Sequence, residues 1–171
     1  VGWAEEWTGK APGAELLENR MEATISIQRA GITLAMSVKA RRTYDSAAPH
    51  GLLTLDEQIV GLGSNLRYRG ERGPESFTLL VDSGSGWRPV ALAEQPRETF
   101  YDTVPGHAAP GRPADGTRAV GARYQTTRFD VQLAANVLAE NHITSVNSVP
   151  LRGAMQRVWT IDSREASTGI S

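Results

Sequence analysis

The stretch Met21-Glu22-Ala23-Thr24-Ile25-Ser26-Ile27-Gln28-Arg29-Ala30-Gly31-Ile32-Thr33-Leu34-Ala35-Met36-Ser37-Val38-Lys39 decides the fold. Ala23, Ile25 and Ile27 fall on one side of an extended chain; Glu22, Thr24, Ser26 and Gln28 fall on the other. A period of two means a strand with one buried and one wet face. Arg29-Ala30-Gly31 interrupts the pattern, and Ile32, Leu34, Met36 and Val38 then alternate with Thr33, Ala35, Ser37 and Lys39. This predicts a long hairpin in which Gly31 supplies the turn, since glycine reaches positive φ at little steric cost.

Outward from it, the same logic continues. Arg41 to His50, with Asp45, Pro49 and small residues, reads as a loop. Leu52 to Arg69 reads as a second extended pair, with Gly61 and Gly63 at a bulge or bend. Phe77, Leu79 and Val81 alternate, Asp82-Ser83-Gly84-Ser85-Gly86 turns, and Trp87, Val90 and Leu92 return. Residues 104–113 hold three prolines and two glycines and form a loop. Asp130 to Ile143 fits two readings. As a helix, Asp130 caps it and Val131, Ala134, Ala135 and Leu138 line a face. As a strand, Val131, Leu133, Ala135 and Val137 alternate. Met155 to Ile161 forms a last strand. At the other end, Trp3 and Trp7 read as anchors that tie the chain end to the core. The expected architecture is mainly β: a curved antiparallel sheet or open β-barrel built from long hairpins, with at most one or two helices, in a single domain spanning 1–171.

Composition removes several chemistries. The 171 residues include no cysteine, which excludes disulfides, thiolate metal sites and a cysteine nucleophile made by this chain. Eighteen basic residues stand against nineteen acidic ones, so bulk charge gives no footprint for nucleic acid. All the basic residues except Lys10 and Lys39 are arginines, which fits coding bias better than dedicated anion binding. No run approaches the roughly 18 apolar residues of a membrane-spanning helix.

Motif chemistry is sparse. His50, His107 and His142 lie far apart, and no H-x-x-x-H or H-E-x-x-H spacing occurs. Gly61-Leu62-Gly63-Ser64-Asn65 lacks the last glycine of a serine-nucleophile elbow. Asp56 and Glu57 are adjacent, so on a strand they face opposite ways and make a poor carboxylate pair. Arg67 and Arg69 share a face with Tyr68 opposite; a phosphate or carboxylate could sit there, although a solvated arginine face is the simpler reading. No metal and no cofactor are expected.

One resemblance adds to this. Trp7-Thr8-Gly9-Lys10-Ala11-Pro12-Gly13, the alternating hairpin with Arg29-Ala30-Gly31 at its tip, Thr43-Tyr44-Asp45, Arg128-Phe129-Asp130 and Gln156-Arg157-Val158-Trp159-Thr160-Ile161-Asp162 occur in that order. Together they resemble the extracytoplasmic N-terminal β domain that precedes the catalytic module of bacterial transglutaminase-like proteins, and related stand-alone periplasmic domains. The resemblance implies a β fold and a periplasmic or secreted location. It implies no transglutaminase or peptidase activity, because the cysteine that would perform it is missing.

Three functions are therefore open. The leading one is a non-catalytic accessory domain that holds a partner module on the concave sheet face, with Ile25, Ile27, Leu34, Met36 and Val38 lining it. The second is a carrier for a hydrophobic small molecule on the same row. The third is a small hydrolase or isomerase working by acid–base chemistry, with His50, His107, His142, Asp45 and Glu57 as proton-transfer groups and Tyr44 or Tyr101 as donors.

Overall fold

The computed structural model describes residues 2–10, 15–29, 32–47, 49–61, 63–103, 120–151 and 154–166. The Gly31 turn, the 104–113 loop and His107 lie outside these residues, as does the side chain of Ile27. Seven strands follow one another as β1 (Gly2–Lys10), β2 (Leu17–Arg29), β3 (Ile32–Tyr44), β4 (Leu52–Gly61), β5 (Ser64–Arg72), β6 (Phe77–Asp82) and β7 (Trp87–Val90). A four-residue helix, α1 (Phe100–Thr103), comes next, and then β8 (Arg123–Asp130), β9 (Ala135–Leu151) and β10 (Ala154–Ala166). The fold is mainly β, as the alternation requires. Among the described residues no helix is long and apolar enough to cross a membrane.

Strands β1 to β7 pair in sequence order, each antiparallel to the next, and form one open sheet with β1 and β7 at its edges. Edge β7 is only four residues long and contains Pro89, which has no amide proton to offer a passing strand. Arg67 and Arg69, by contrast, sit on β5 in the sheet interior. A second sheet has the order β10-β9-β8.

Register assigns the faces. Ala23 lies opposite Val38, Ile25 opposite Met36 and Ile27 opposite Leu34. Val38 meets Ile59 on the next strand, Leu55 meets Gly70, and Gly70 meets Leu79. Side chains directly across an antiparallel pair point the same way, so one face carries the apolar row and the core residues Tyr44, Leu55, Ile59, Tyr68 and Leu79. The opposite face carries Glu22, Lys39, Arg41, Asp56, Arg67 and Arg69. Two glycines make room within the sheet. A Cβ at Gly70 would fall 2.5 Å from the Phe77 ring, and one at Gly61 would fall 2.5 Å from the Ala35 carbonyl oxygen.

Two segments depart from expectation. Arg41–Tyr44 is strand and not loop, because it is bonded on one side to β2 and on the other to β4. Asp130 does cap a turn: its carboxylate accepts the amide protons of Gln132 (2.8 Å) and Leu133 (2.9 Å). The turn stops at Ala134, whose φ is 51°, and the chain runs on as strand β9. The cap does not propagate into a helix; from Leu138 onward the chain pairs with β10 as a strand instead.

The chain gathers into two compact units: Val1–Phe100 with Phe129–Asn136, and Tyr101–Arg128 with Val137–Ser171. In the first unit, Tyr44, Leu52, Leu55, Leu79, Phe77, Phe100, Phe129 and Val131 form the core. Phe129 meets Phe77 edge-on at 6.0 Å between ring centroids, and Phe100 meets Tyr44 edge-on at 5.7 Å. Fully burying one leucine such as Leu55 or Leu79 stabilises by about 1.5–3 kcal/mol. Residues 95–99 are tied across this face by Asn136, which accepts from the Arg97 amide (2.8 Å) and donates to the Gln95 carbonyl (2.9 Å). In the second unit Val137 and Ile143 are buried, and buried Asn141 donates to Thr126 Oγ1 at 3.0 Å.

Candidate functional site

The apolar row proposed for binding lies on the core face of β2 and β3. Within it, Ile25 is 40% exposed and Leu34 42%, while Met36 and Val38 are half-buried. At Leu34 the reason is strand length: β4 pairs with β3 only from Met36 onward, so residues 32–35 are bonded to β2 alone among the described strands and lose their neighbours on the β4 side.

The same face is sealed at its other end by a charged cluster that the composition did not announce. Buried Arg42 donates to Glu98 Oε2 (2.5 Å) and to Glu57 Oε2 (3.1 Å). The Tyr44 hydroxyl donates to Glu98 Oε1 (2.5 Å), and the Phe129 amide donates to Glu98 Oε2 (2.8 Å). Burial works against the Arg42 charge, but Glu98, Tyr44 and Glu57 outweigh it and hold the guanidinium above its usual range. Tyr68, opposite Glu57, has its phenol pushed up by burial and by that carboxylate. Two residues considered for acid–base work, Tyr44 and Glu57, are thus brought together. They are closed off from solvent and their bonding is committed to Glu98 and Arg42, which makes this a structural pin for segments 95–99 and 129–131. The signal for it was parity: Arg42 is an even-numbered residue of β3 and therefore shares a face with Leu34, Met36 and Val38.

Of the three histidines, His50 and His142 belong to different compact units, and His107 lies outside the described residues. His50 has φ 57° and its Nδ1 donates to the Asp45 backbone carbonyl at 3.0 Å. The Asp45 carboxylate accepts the Ala47 amide proton (2.8 Å), so it serves the turn and not the imidazole. His142 belongs to the second unit, and Tyr101 lies in α1. No group of three or more His, Asp or Glu side chains among the described residues is placed to hold a metal ion.

The wet face of the large sheet is paired with itself. Glu18 is fully buried beneath two guanidiniums, a bidentate Arg20 (2.9 Å to each oxygen) and Arg41. The Arg20 hydrogen bonds, helped by Arg41 and opposed by desolvation, hold the Glu18 carboxyl below its ordinary value. Arg20 also stacks on Trp7, 5.4 Å from the ring centroid. Trp7 stays 45% exposed, so it packs on the sheet's outer face over Gly9 instead of anchoring in the core. Arg67 binds Asp82 at 2.5 Å, and Arg67 and Arg69 both stack on Trp87, at 5.4 and 4.9 Å. Arg67 and the Gly84 and Gly86 amides hold Asp82 below the usual carboxylate range. Arg67 and Arg69 are therefore engaged by their own sheet, which removes the basis for reading them as an anion site.

The second unit holds a groove of about 400 Å³ lined by Arg123 of β8, Glu140 and His142 of β9, and Asp162 and Arg164 of β10. His142 lies directly opposite Asp162, and Glu140 opposite Arg164. Nothing in the motif search pointed here, because the pairing of residues 140–142 with 162–164 exists only once the β9–β10 register is set.

Comparison with protein-family models, curated proteins and solved structures finds no match to this chain.

Proposed function

We propose that this chain is a non-catalytic, extracytoplasmic accessory domain that holds a partner protein module on the apolar end of its large sheet. The observation that carries the reading is the exposure of Ile25 and Leu34 on the face that elsewhere forms the core. An uncovered apolar area continuous with a core is what a docking surface provides. The groups best suited to acid–base work in this unit, Tyr44 and Glu57, are tied up inside the fold, which favours binding over catalysis. The extracytoplasmic location, and the choice of a neighbouring protein module as the partner, draw on the resemblance to the β domain of transglutaminase-like proteins.

The test is site-specific photocrosslinking in cells that make the protein, from Leu34 and, as a control on the opposite face, from Lys39. A discrete protein product from Leu34 alone supports the reading. Equal products from both positions, or none from Leu34, overturn it. A lipid-sized adduct seen in native mass spectrometry, and lost on changing Leu34 and Ile25 to serine, would replace the protein partner with a hydrophobic ligand.

A further inference from the structure

The two edges of the large sheet are guarded differently. β7 is four residues long and carries Pro89. β1 is nine residues long, has no proline, and pairs along its whole length with β2 on one side. On its other side no described strand pairs with it. Every second residue of such a strand points an N–H and a C=O away from the sheet, which makes it a template for one more strand. What guards β1 is charge on the core-side face. Glu6, Thr8 and Lys10 stand there, opposite Met21, Asn19 and Leu17, and Glu6 and Lys10 are exposed. Asn19 donates to one oxygen of Glu6 at 2.6 Å, and among the described residues neither Glu6 nor Lys10 is in an ion pair. An incoming strand must lay a side chain beside each of these charges, so most strands are refused.

One strand that meets the guard is β1 itself. Antiparallel pairing with β1 of a second copy, centred on Thr8, sets Glu6 opposite Lys10 of the copy and, by symmetry, Lys10 opposite its Glu6. Trp7 then faces Gly9 of the copy, where the missing side chain leaves room for a large ring. That ring already leans over Gly9 of its own strand, where a Cβ would meet it at 3.0 Å. Neighbouring registers lose the match. Centring on Glu6 sets two carboxylates face to face, and centring on Trp7 puts Lys10 opposite Ala4. Centring between two residues sets the core face of one sheet beside the outer face of the other. We propose that this chain forms a symmetric dimer through β1, centred on Thr8, in which two seven-stranded sheets run on as one. The contact is separate from the docking face at Ile25 and Leu34 and does not depend on it.

The experiment is analytical ultracentrifugation of the whole chain over a range of concentrations, where a monomer–dimer equilibrium is expected. Glu6→Lys sets a second ammonium opposite Lys10, and Lys10→Glu sets a second carboxylate opposite Glu6. Each should weaken the dimer by about tenfold, the effect of two like-charge pairs. Mixing the two variants should restore association, because each chain then supplies the charge that the other lacks. The chain has no cysteine, so Thr8→Cys, on the symmetry axis, should give a disulfide-linked dimer on oxidation, and Ser83→Cys in the 82–86 turn should not. Leu34→Ser should leave the dimer intact. Thermal unfolding separates lost pairing from lost folding, and the unaltered chain with Thr8→Cys decides if a charge variant does not fold. A monomer at every concentration, a dimer indifferent to both charge reversals, no association on mixing, or a dimer lost with Leu34→Ser overturns the proposal.

Discussion

On the single strand β3, Tyr44 is fully buried and Leu34 is 42% exposed, although both belong to the same face of the same sheet. At the Tyr44 end, segments 95–100 and 129–131 lie across the sheet, bonded to it through Glu98 and packed through Phe100 and Phe129. At the Leu34 end, β4 has already stopped. Alternation therefore says which side chains share a face, while coverage depends on what crosses that face. The covered end is closed by a buried, hydrogen-bonded charge cluster. The bare end keeps Ile25 and Leu34 exposed.

The sharpest way to break this contrast is at Arg42. Replacing it with methionine leaves Glu57 and Glu98 buried without their cation, and should cost about 3–5 kcal/mol in urea unfolding. Arg69→Met, on the exposed face, should cost about 1 kcal/mol or less. A small loss at Arg42 would mean that the cluster is not sealed. Next, Leu55→Ala at the covered end should cost about 2–5 kcal/mol. Acidification probes a third region. Glu18 is held below its ordinary value of 4.5, so the unfolded chain binds the proton more readily than the folded one. Stability from Glu18 is then complete above that pH and falls away as pH drops through the lower folded value. Asp82 acts with the same sign below 3.8. Unfolding midpoints measured from neutral pH downward should show this decline, and Glu18→Gln should flatten its upper part. The smallest stability effect is expected at the bare end: Leu34→Ser should shift unfolding by no more than about 0.5 kcal/mol while abolishing crosslinking of a partner to that face. A loss there as large as at Leu55 would show that Leu34 is part of the core after all.

Much of this was legible in the residues. The hairpin over 21–39, the turn at 82–86 and the inward and outward assignment of Asp56, Glu57, Tyr68 and Arg69 follow from period two. The Arg42 pin could have been inferred from parity, but its partner Glu98 is 56 residues away in a stretch with no periodicity. The groove was invisible, because Glu140 and Arg164 come to lie opposite one another only through a pairing that shifts by one residue between Thr160 and Ile161.

By itself, the order of apolar and polar residues determined that this chain makes antiparallel strands and which side of each is greasy, because side-chain direction on a strand is a local property of the backbone. The tertiary structure decided which part of the greasy side is covered and which charges meet, because both depend on strand lengths, register and crossings between residues far apart along the chain.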